Sequence, residues 1–357
     1  MDCLEAVMSM FNPSSSPRDA THPTAQAGDR SNGSAAQYVA GLSFEDFVAM
    51  TKFRHPRLHG LLDPHWQCDG RAQAEVDRLN VQSWEFEGQT EGGRGNDYNL
   101  AQRNIDNRHI GMTRLLRLFG EDGDTLPGPR TVILDVLAGD GTLRRFCERF
   151  GGTSPEIISA DMSRLMVDAC LAQGYPSIRQ SASKSFLKDA VLDGVLIAYG
   201  SHHLTNPERR EAAREAHRTL RRGGRFVLHD FETNGPVDRW FREVVDPFSA
   251  TGHPHPHFSA DEMRQIMSDA GFRDAKVQAM EDPFVLTGDT PQAARRTMLQ
   301  HLRMMYGLVR LTLESDADWD RLEALAADTL GEMTIRAVDR HYEATLMRDA
   351  LVAVGIR

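Results

Sequence analysis

The segment TVILDVLAGDGT, residues 131–142, decides the fold. Thr131, Val132, Ile133 and Leu134 form an apolar or β-branched run into Asp135, and a turn of small residues follows with Ala138, Gly139 and Gly141. The next stretch, TLRRFCERF, has helical apolar spacing. A strand, a glycine turn and a helix in this order bring backbone N–H groups and a positive helix N-terminus close to a bound ligand. About twenty residues on, a second apolar strand, EIISA, ends at Asp161, where a carboxylate is placed to accept both hydroxyls of a ribose. The pair predicts a nucleoside-bearing small molecule held over the C-terminal edge of a parallel sheet.

A dinucleotide dehydrogenase would carry G-x-G-x-x-G, but Arg144 stands in place of the third glycine. The stretch instead resembles motif I of the class I S-adenosylmethionine-dependent methyltransferases, a strand followed by D-x-G-x-G-x-G. Asp135, Gly139 and Gly141 match it, and Leu137 occupies the first glycine position. LDGVLIAYGSHHL, residues 192–204, resembles the family's fourth-strand segment. The helix opening at Asn206-Pro207, the Gly223-Gly224 turn and the strand RFVLHDF resemble its fourth helix and fifth strand. Downstream, Ser259 and Glu262 cap a helix closed by Gly271, and DAKVQAM and PFVLTGD read as two strands in a closing hairpin. The resemblance implies an α/β fold with a doubly wound, mostly parallel seven-stranded sheet, Rossmann-like, with helical lids at both ends and S-adenosylmethionine as cofactor.

Composition bounds the partners. The 357 residues are 40% hydrophobic and 26% charged, as in ordinary globular chains. With 41 Lys+Arg against 51 Asp+Glu, the net charge of −10 argues against a nucleic-acid substrate. The basic residues near Gly223 (Arg218, Arg221, Arg222 and Arg225) complement a helix end. Cys3, Cys68, Cys147 and Cys170 show no C-x-x-C pairing, the start MDCLEAVMSMF is acidic, and no apolar run is long enough to span a bilayer. The expectation is a cytoplasmic chain with reduced thiols, no membrane partner and a small-molecule substrate.

Around the core, residues 1–38 are rich in Ser, Pro, Gly and Ala and read as a disordered arm. Residues 39–120 read as a helical lid: a capped helix after Ser43, a second at RAQAEVDRLN, a glycine-rich loop acting as a hinge that brings Tyr98 and Asn99 near the cofactor, and one long helix LAQRNIDNRHIGMTRLLRLFG. Residues 121–290 form the methyltransferase core, with an insertion at 231–258 after the fifth strand. Residues 291–357 read as three helices, through which a homodimer is conceivable.

The resemblance implies site roles. Asp135, Ala138, Gly139 and Gly141 contact the methionine portion, Asp161 the ribose and Met162 the adenine. Ser181 and Ala182 stand where the family often has Asp-Ala for the adenine amine, and Tyr199 lies nearest the methyl group. Methyl transfer is an in-line displacement that needs alignment, removal or masking of a proton, and exclusion of water. Candidate bases are His202, beside His203, His229 at the end of the fifth strand, and the insertion histidines His253, His255 and His257. Trp240, Phe241 and Phe248 give that insertion an apolar face. A base from the insertion, His257, is favoured. His229, Asp230 and a loop histidine would also make a two-His-one-carboxylate metal set, as in methyltransferases that C-methylate α-keto acids. Neighbouring strand residues face opposite sides, however, and prolines at 254 and 256 impose an extended helix that splays its side chains, so the site is read without a metal. The function implied is O- or C-methylation in specialised metabolism; a non-methylating cyclase or binding protein of the same fold is the other class.

Overall fold

The computed structural model describes residues 37–67, 71–82, 85–88, 95–250 and 252–357. The proposed disordered arm therefore lies outside the described residues except for Gln37 and Tyr38. The N-terminal part holds α1 (Phe44–Arg54), α2 (Pro56–Leu61), α3 (Arg71–Gln82), α4 (Gly95–Gln102) and α5 (His109–Arg117). The Ser43 hydroxyl accepts from Asp46 N–H at 3.1 Å and caps α1. The expected single long helix is two. After α4 the Asn104 side chain accepts from Asp106 N–H at 3.0 Å, so the chain turns before α5 begins. Asn competes for local backbone donors in this way, and the apolar periodicity does not reveal it.

The core runs β1 (Val132–Asp135), α6 (Thr142–Cys147), β2 (Glu156–Asp161), α7 (Arg164–Ala172), β3 (Ser177–Arg179), β4 (Leu192–Ile197), α8 (Asn206–Thr219), β5 (Leu220–Asp230), α9 (Pro236–Trp240), α10 (Ala260–Asp269) and β6 (Arg273–Glu281). All four residues of β1 are buried, as a central parallel strand covered on both faces requires. Gly141 turns the chain into α6 at φ +87°, and a Cβ there would lie 2.8 Å from Cys170 Sγ, so both backbone and packing call for glycine. α8 carries a Thr205–Glu208 capping box, and Ser259 caps α10 by accepting from Glu262 N–H.

The remainder is β7 (Phe284–Gly288), α11 (Pro291–Met305), α12 (Asp316–Leu330), β8 (Thr334–Val338), β9 (His341–Leu346) and β10 (Asp349–Ile356). The main sheet has the order β3-β2-β1-β4-β5-β10-β6, with the pairs from β3 to β5 parallel and β10 antiparallel to both neighbours. The seven-stranded, mostly parallel sheet agrees with expectation, but its antiparallel member does not come from the expected place. β6 and β7 form no hairpin. β7 leaves for a separate antiparallel sheet, β7-β9-β8, while β10 fills the gap between β5 and β6. The third C-terminal helix expected within residues 291–357 is thus three strands.

Two apolar clusters result. In one, α5 and α6 cover the main sheet through Leu115, Leu116, Phe146, Ile133 and Val227. In the other, α11, α12, β7 and β9 pack with the insertion through Trp240, Val244, Phe284, Met298 and Leu322. The insertion continues from α9 through a π-helical turn, Phe241–Val245, into a helical turn Asp246–Phe248. It is pinned where it closes, Phe258 N–H donating to Phe231 and Thr233 N–H to Phe258.

Gly111 on α5 faces the β6–β7 connection. A Cβ there would run into the Asp282 carboxylate and lie 2.9 Å from the Tyr199 hydroxyl. Ala in an exposed helix interior gains about 1 kcal/mol over Gly, but overpacking costs about 1–3 kcal/mol when the neighbour cannot move. Asp282 is held by Arg348 and Tyr199. Gly111→Ala is therefore expected to lower the urea midpoint, not raise it.

Candidate active site

A cavity of about 540 Å³ opens over the C-terminal ends of β1, β2, β4 and β5, beside the point where the strand order reverses between β1 and β4. One end is walled by Gly139, Asp161, Met162, Ser163 and Phe86, and the other by His202, His203, His255, Phe231, Phe241 and Tyr306. A smaller recess beside it is lined by Asp135, Ala138, Gly139 and Thr142. Leu137, Tyr98 and Arg108 belong to both.

Asp161 ties the first end together. Its Oδ2 accepts from Gly139 N–H and its Oδ1 from Ser163 N–H, both at 2.9 Å. Burial, with Glu87 nearby, pushes its pKa up to about 6. Burial, with Asp161 adding repulsion, pushes Asp135 up to about 7. Glu87 accepts from the N–H groups of Arg164 and Leu165, and Ser163 donates to the Phe86 carbonyl, so residues 85–88 are bonded across the start of α7. Tyr98 reaches the glycine turn, its Cε1 3.8 Å from where a Gly139 Cβ would stand. Asn99 does not line the cavity, and most of the expected hinge, residues 89–94, lies outside the described residues.

Two expected cofactor contacts lie elsewhere. Ser181 and Ala182 do not line the cavity; the Ser181 hydroxyl is shared with Ser183 at 2.9 Å in a local turn after β3. Gly141 faces α7 through Cys170 and lines neither space. Leu137 is a shared wall, its Cδ1 3.4 Å from the Cβ position of Gly200, and leaves the cavity open.

The histidines separate by strand alternation. Asp230 faces His202: its Oδ1 accepts from the His202 Nδ1 at 2.8 Å, and its Oδ2 from the His202 N–H at 2.7 Å and the Ser201 hydroxyl at 2.5 Å. Burial opposes its charge, but His202 outweighs it and holds the carboxyl well below its ordinary range. Burial lowers His202 to about 4 despite Asp230. The pair is a carboxylate and a neutral imidazole, Nδ1 protonated toward Asp230. His229 faces the other way, toward Tyr199 at a ring separation of 4.5 Å, does not line the cavity, and has neither ring nitrogen bonded among the described residues. His257 also lies behind the wall, bonded through Nδ1 to Asp238 at 2.7 Å. The insertion histidine that reaches the cavity is His255. Nor do the insertion histidines splay apart. Asp246 takes the His253 N–H, Gly252 turns at φ +69°, and His253 and His257 pack against His202 with tilted rings at separations of 4.9 Å each.

Tyr199 sits at φ +63°, a strained backbone for a bulky residue of the kind that collects at functional sites. Its ring lines the cavity while its hydroxyl donates to Asp282 at 3.1 Å. Burial, then Asp282, raises this phenol well above its ordinary pKa, so it stays protonated and is not a base. Beneath it, Arg348 pairs with Asp282 at 2.6 Å and lies 3.6 Å from the Phe284 ring centre. Arg108 stacks over Tyr199 at 4.6 Å and has no carboxylate partner among the described residues. Sequence reasoning missed both arginines: Arg108 lies in the break of the supposed long helix, and Arg348 between β9 and β10.

Residues 105–277 match the model of a methyltransferase domain. Over 135 residues the chain is 32% identical to the ubiquinone/menaquinone biosynthesis C-methyltransferase UbiE of Caulobacter sp. (strain K31), covering 34% of this chain and 52% of that protein. With UbiE of Pseudomonas syringae pv. tomato the figures are 25% over 192 residues, 45% and 72%. The chain spans only about half the length of the first of these relatives (52%). Among solved structures it is similar to the YcgJ protein of Bacillus subtilis (20% identity, TM-score 0.42, 69% of this chain and 98% of that one). It is also similar to geranyl diphosphate C-methyltransferase of Streptomyces coelicolor (13%, 0.41, 69% and 78%). The matched residues contain the glycine turn, Asp161 and the His202–Asp230 pair, and over residues 105–277 the chain thus matches a methyltransferase domain.

Proposed function

We propose that the chain transfers the methyl group of S-adenosylmethionine to a small organic acceptor held against the histidine wall. The observation that carries this reading is a single cavity with Gly139 and Asp161 at one end and His202, backed by Asp230, at the other. The adenosine end rests on Asp161 and Met162, and the amino-acid tail points into the recess at Ala138 and Gly139. Arg108, a buried guanidinium without a carboxylate partner among the described residues, meets the tail's carboxylate, since a buried charge is costly until paired. The acceptor lies toward Phe231, Phe241 and Tyr306, where the wall is apolar.

The acceptor's oxygen or carbon lone pair forms the new bond to the methyl carbon as the C–S bond breaks, its electron pair returning to sulfur, and S-adenosylhomocysteine is released. The histidine wall, headed by His202, removes or masks the acceptor's proton; a neutral imidazole fixed by a carboxylate is suited to that task at pH 7. The test is incubation with methyl-labelled cofactor and a panel of phenols, enols and ring-hydroxylated acids. Label in the product supports transfer. Turnover of an acceptor with all label retained on the cofactor would instead mark a cyclase on the same fold.

Asp161 gives a pH dependence with a definite sign. Its carboxylate must be ionised to accept both ribose hydroxyls, and its pKa in the free protein is about 6. Calorimetry with S-adenosylhomocysteine is expected to show affinity steady above that pH and falling below it, by up to about tenfold per unit. In Asp161→Asn the inflection should vanish.

A further inference from the structure

The wall that faces the acceptor holds more imidazole than a single base requires. His202, His203, His253, His255 and His257 lie together, with ring separations of 4.5 Å for His202–His203, 4.9 Å for His202–His253 and 5.1 Å for His203–His253. His202, His203 and His253 each offer a ring nitrogen, and these atoms lie within 4.8 Å of one another. His253 is only 7% exposed, yet neither of its ring nitrogens has a partner among the described residues. A buried imidazole with both nitrogens unbonded carries a desolvation cost that no described residue offsets.

Carboxylates stand behind two of the three. Asp230 takes the Nδ1 of His202 at 2.8 Å, and Glu85 lies 3.3 Å from the Nδ1 of His203. Carboxylate, imidazole and cation in line is the usual arrangement behind a metal-ligating histidine, because the carboxylate fixes the tautomer and leaves Nε2 for the metal. His202 and His203 line the cavity, so positions not taken by protein would open toward the acceptor.

We propose that His202, His203 and His253 bind a divalent transition-metal cation, zinc or ferrous iron in chemical class. Its remaining positions take an oxygen of the acceptor. Three imidazoles with an open position are the donor set of a catalytic site for such cations. The set differs from the one weighed on the sequence, where the site is read without a metal: His229 faces away, Asp230 stands behind His202, and His202 and His203 take their places beside the loop histidine. The chemistry rests on the methyl-transfer reading; the cation's binding does not. With the cation bound His202 serves as a ligand and not as a free base: as a Lewis acid the cation would lower the pKa of a coordinated hydroxyl, whose proton leaves to water, so that an oxyanion or enolate attacks the methyl group.

The test uses the untagged full chain, freed of metal by chelation and titrated with Zn²⁺ or Co²⁺ in a calorimeter, with elemental analysis of the product. One cation per chain is expected, and Co²⁺ should show the intensified visible bands of a low-symmetry nitrogen site. His253→Gln should weaken binding by at least about a hundredfold and Asp230→Asn by about 10–100-fold. Binding of S-adenosylhomocysteine by the variants verifies that they are folded. No binding by the wild type, or undiminished binding by folded His253→Gln, overturns the proposal. Full-rate label transfer by protein shown to be metal-free also overturns it and leaves the methyltransferase reading intact. A bound cation with no affinity for S-adenosylhomocysteine would do the reverse.

Discussion

His202→Asn is expected to lower kcat by about 10²–10⁴-fold, the range for loss of a positioned group that handles a proton in the transition state. Asn keeps a donor for Asp230 and fills much of the ring's volume, so the carboxylate is not abandoned in a buried site. Affinity for S-adenosylhomocysteine should stay nearly unchanged, because the cofactor end of the cavity belongs to Gly139, Asp161 and Met162. A loss confined to kcat distinguishes chemistry from misfolding, which would lower kcat and cofactor affinity together. His229→Asn is the matched control. That histidine sits one residue from Asp230 but on the opposite face of β5, and it should cost activity far less.

The second large effect is on stability. Asp282 and Arg348 are both buried and joined at 2.6 Å, with the Asp282 N–H donating to the Arg348 carbonyl and the Arg348 Nε to the Asp282 carbonyl. Removing one member of such a pair strands the other charge, at about 3–5 kcal/mol. Asp282→Ala is expected to lower the unfolding free energy by that amount in urea, and Arg348→Met similarly. The double variant, with no orphan charge, should lose less than the two single losses added together. Simple additivity would show that the pair is not coupled. Cofactor affinity should fall as well, because Asp282 also holds the Tyr199 hydroxyl, and the Tyr199 ring supports Arg108.

Much of the core was readable because each element carried several agreeing signals. β1 is a short apolar run stopped by Asp135 and a glycine turn, and α10 has a serine cap, an apolar periodicity and a terminal glycine. The C-terminal strands were not readable by the same means. MTIRAVDRHYEATL is rich in Met, Arg, Ala and Glu, whose helix propensity conceals a two-residue alternation in which Ile335, Tyr342, Ala344 and Leu346 turn toward α11 and Trp319. Pairing with β7 decides that contest, and it is a tertiary fact. β10, an apolar run, gives no local clue that it belongs between β5 and β6.

At the site, residues with a chain-order signature were found and those brought by distant elements were not. Gly139, Asp161, Tyr199 and His202 lie at strand ends whose order predicts their meeting. Arg108, Arg348 and Tyr306 reach the cavity from a helix break, a tight strand connection and the end of α11. Alternation correctly separated His229 from Asp230. It gave no guidance on His253, His255 and His257, because the insertion's path depends on Gly252 and Asp246.

The position of β10 in the main sheet also constrains how the molecule is made. Among the described residues β6 pairs with β10 alone, so on the ribosome both it and the edge of β5 wait while residues 284–346 emerge. An unsatisfied sheet edge of that kind invites pairing with foreign strands, and contacts so far apart in the chain form slowly. The nascent polypeptide should therefore depend on chaperones until β10 is translated, and stalling just before residue 349 should leave it prone to aggregate.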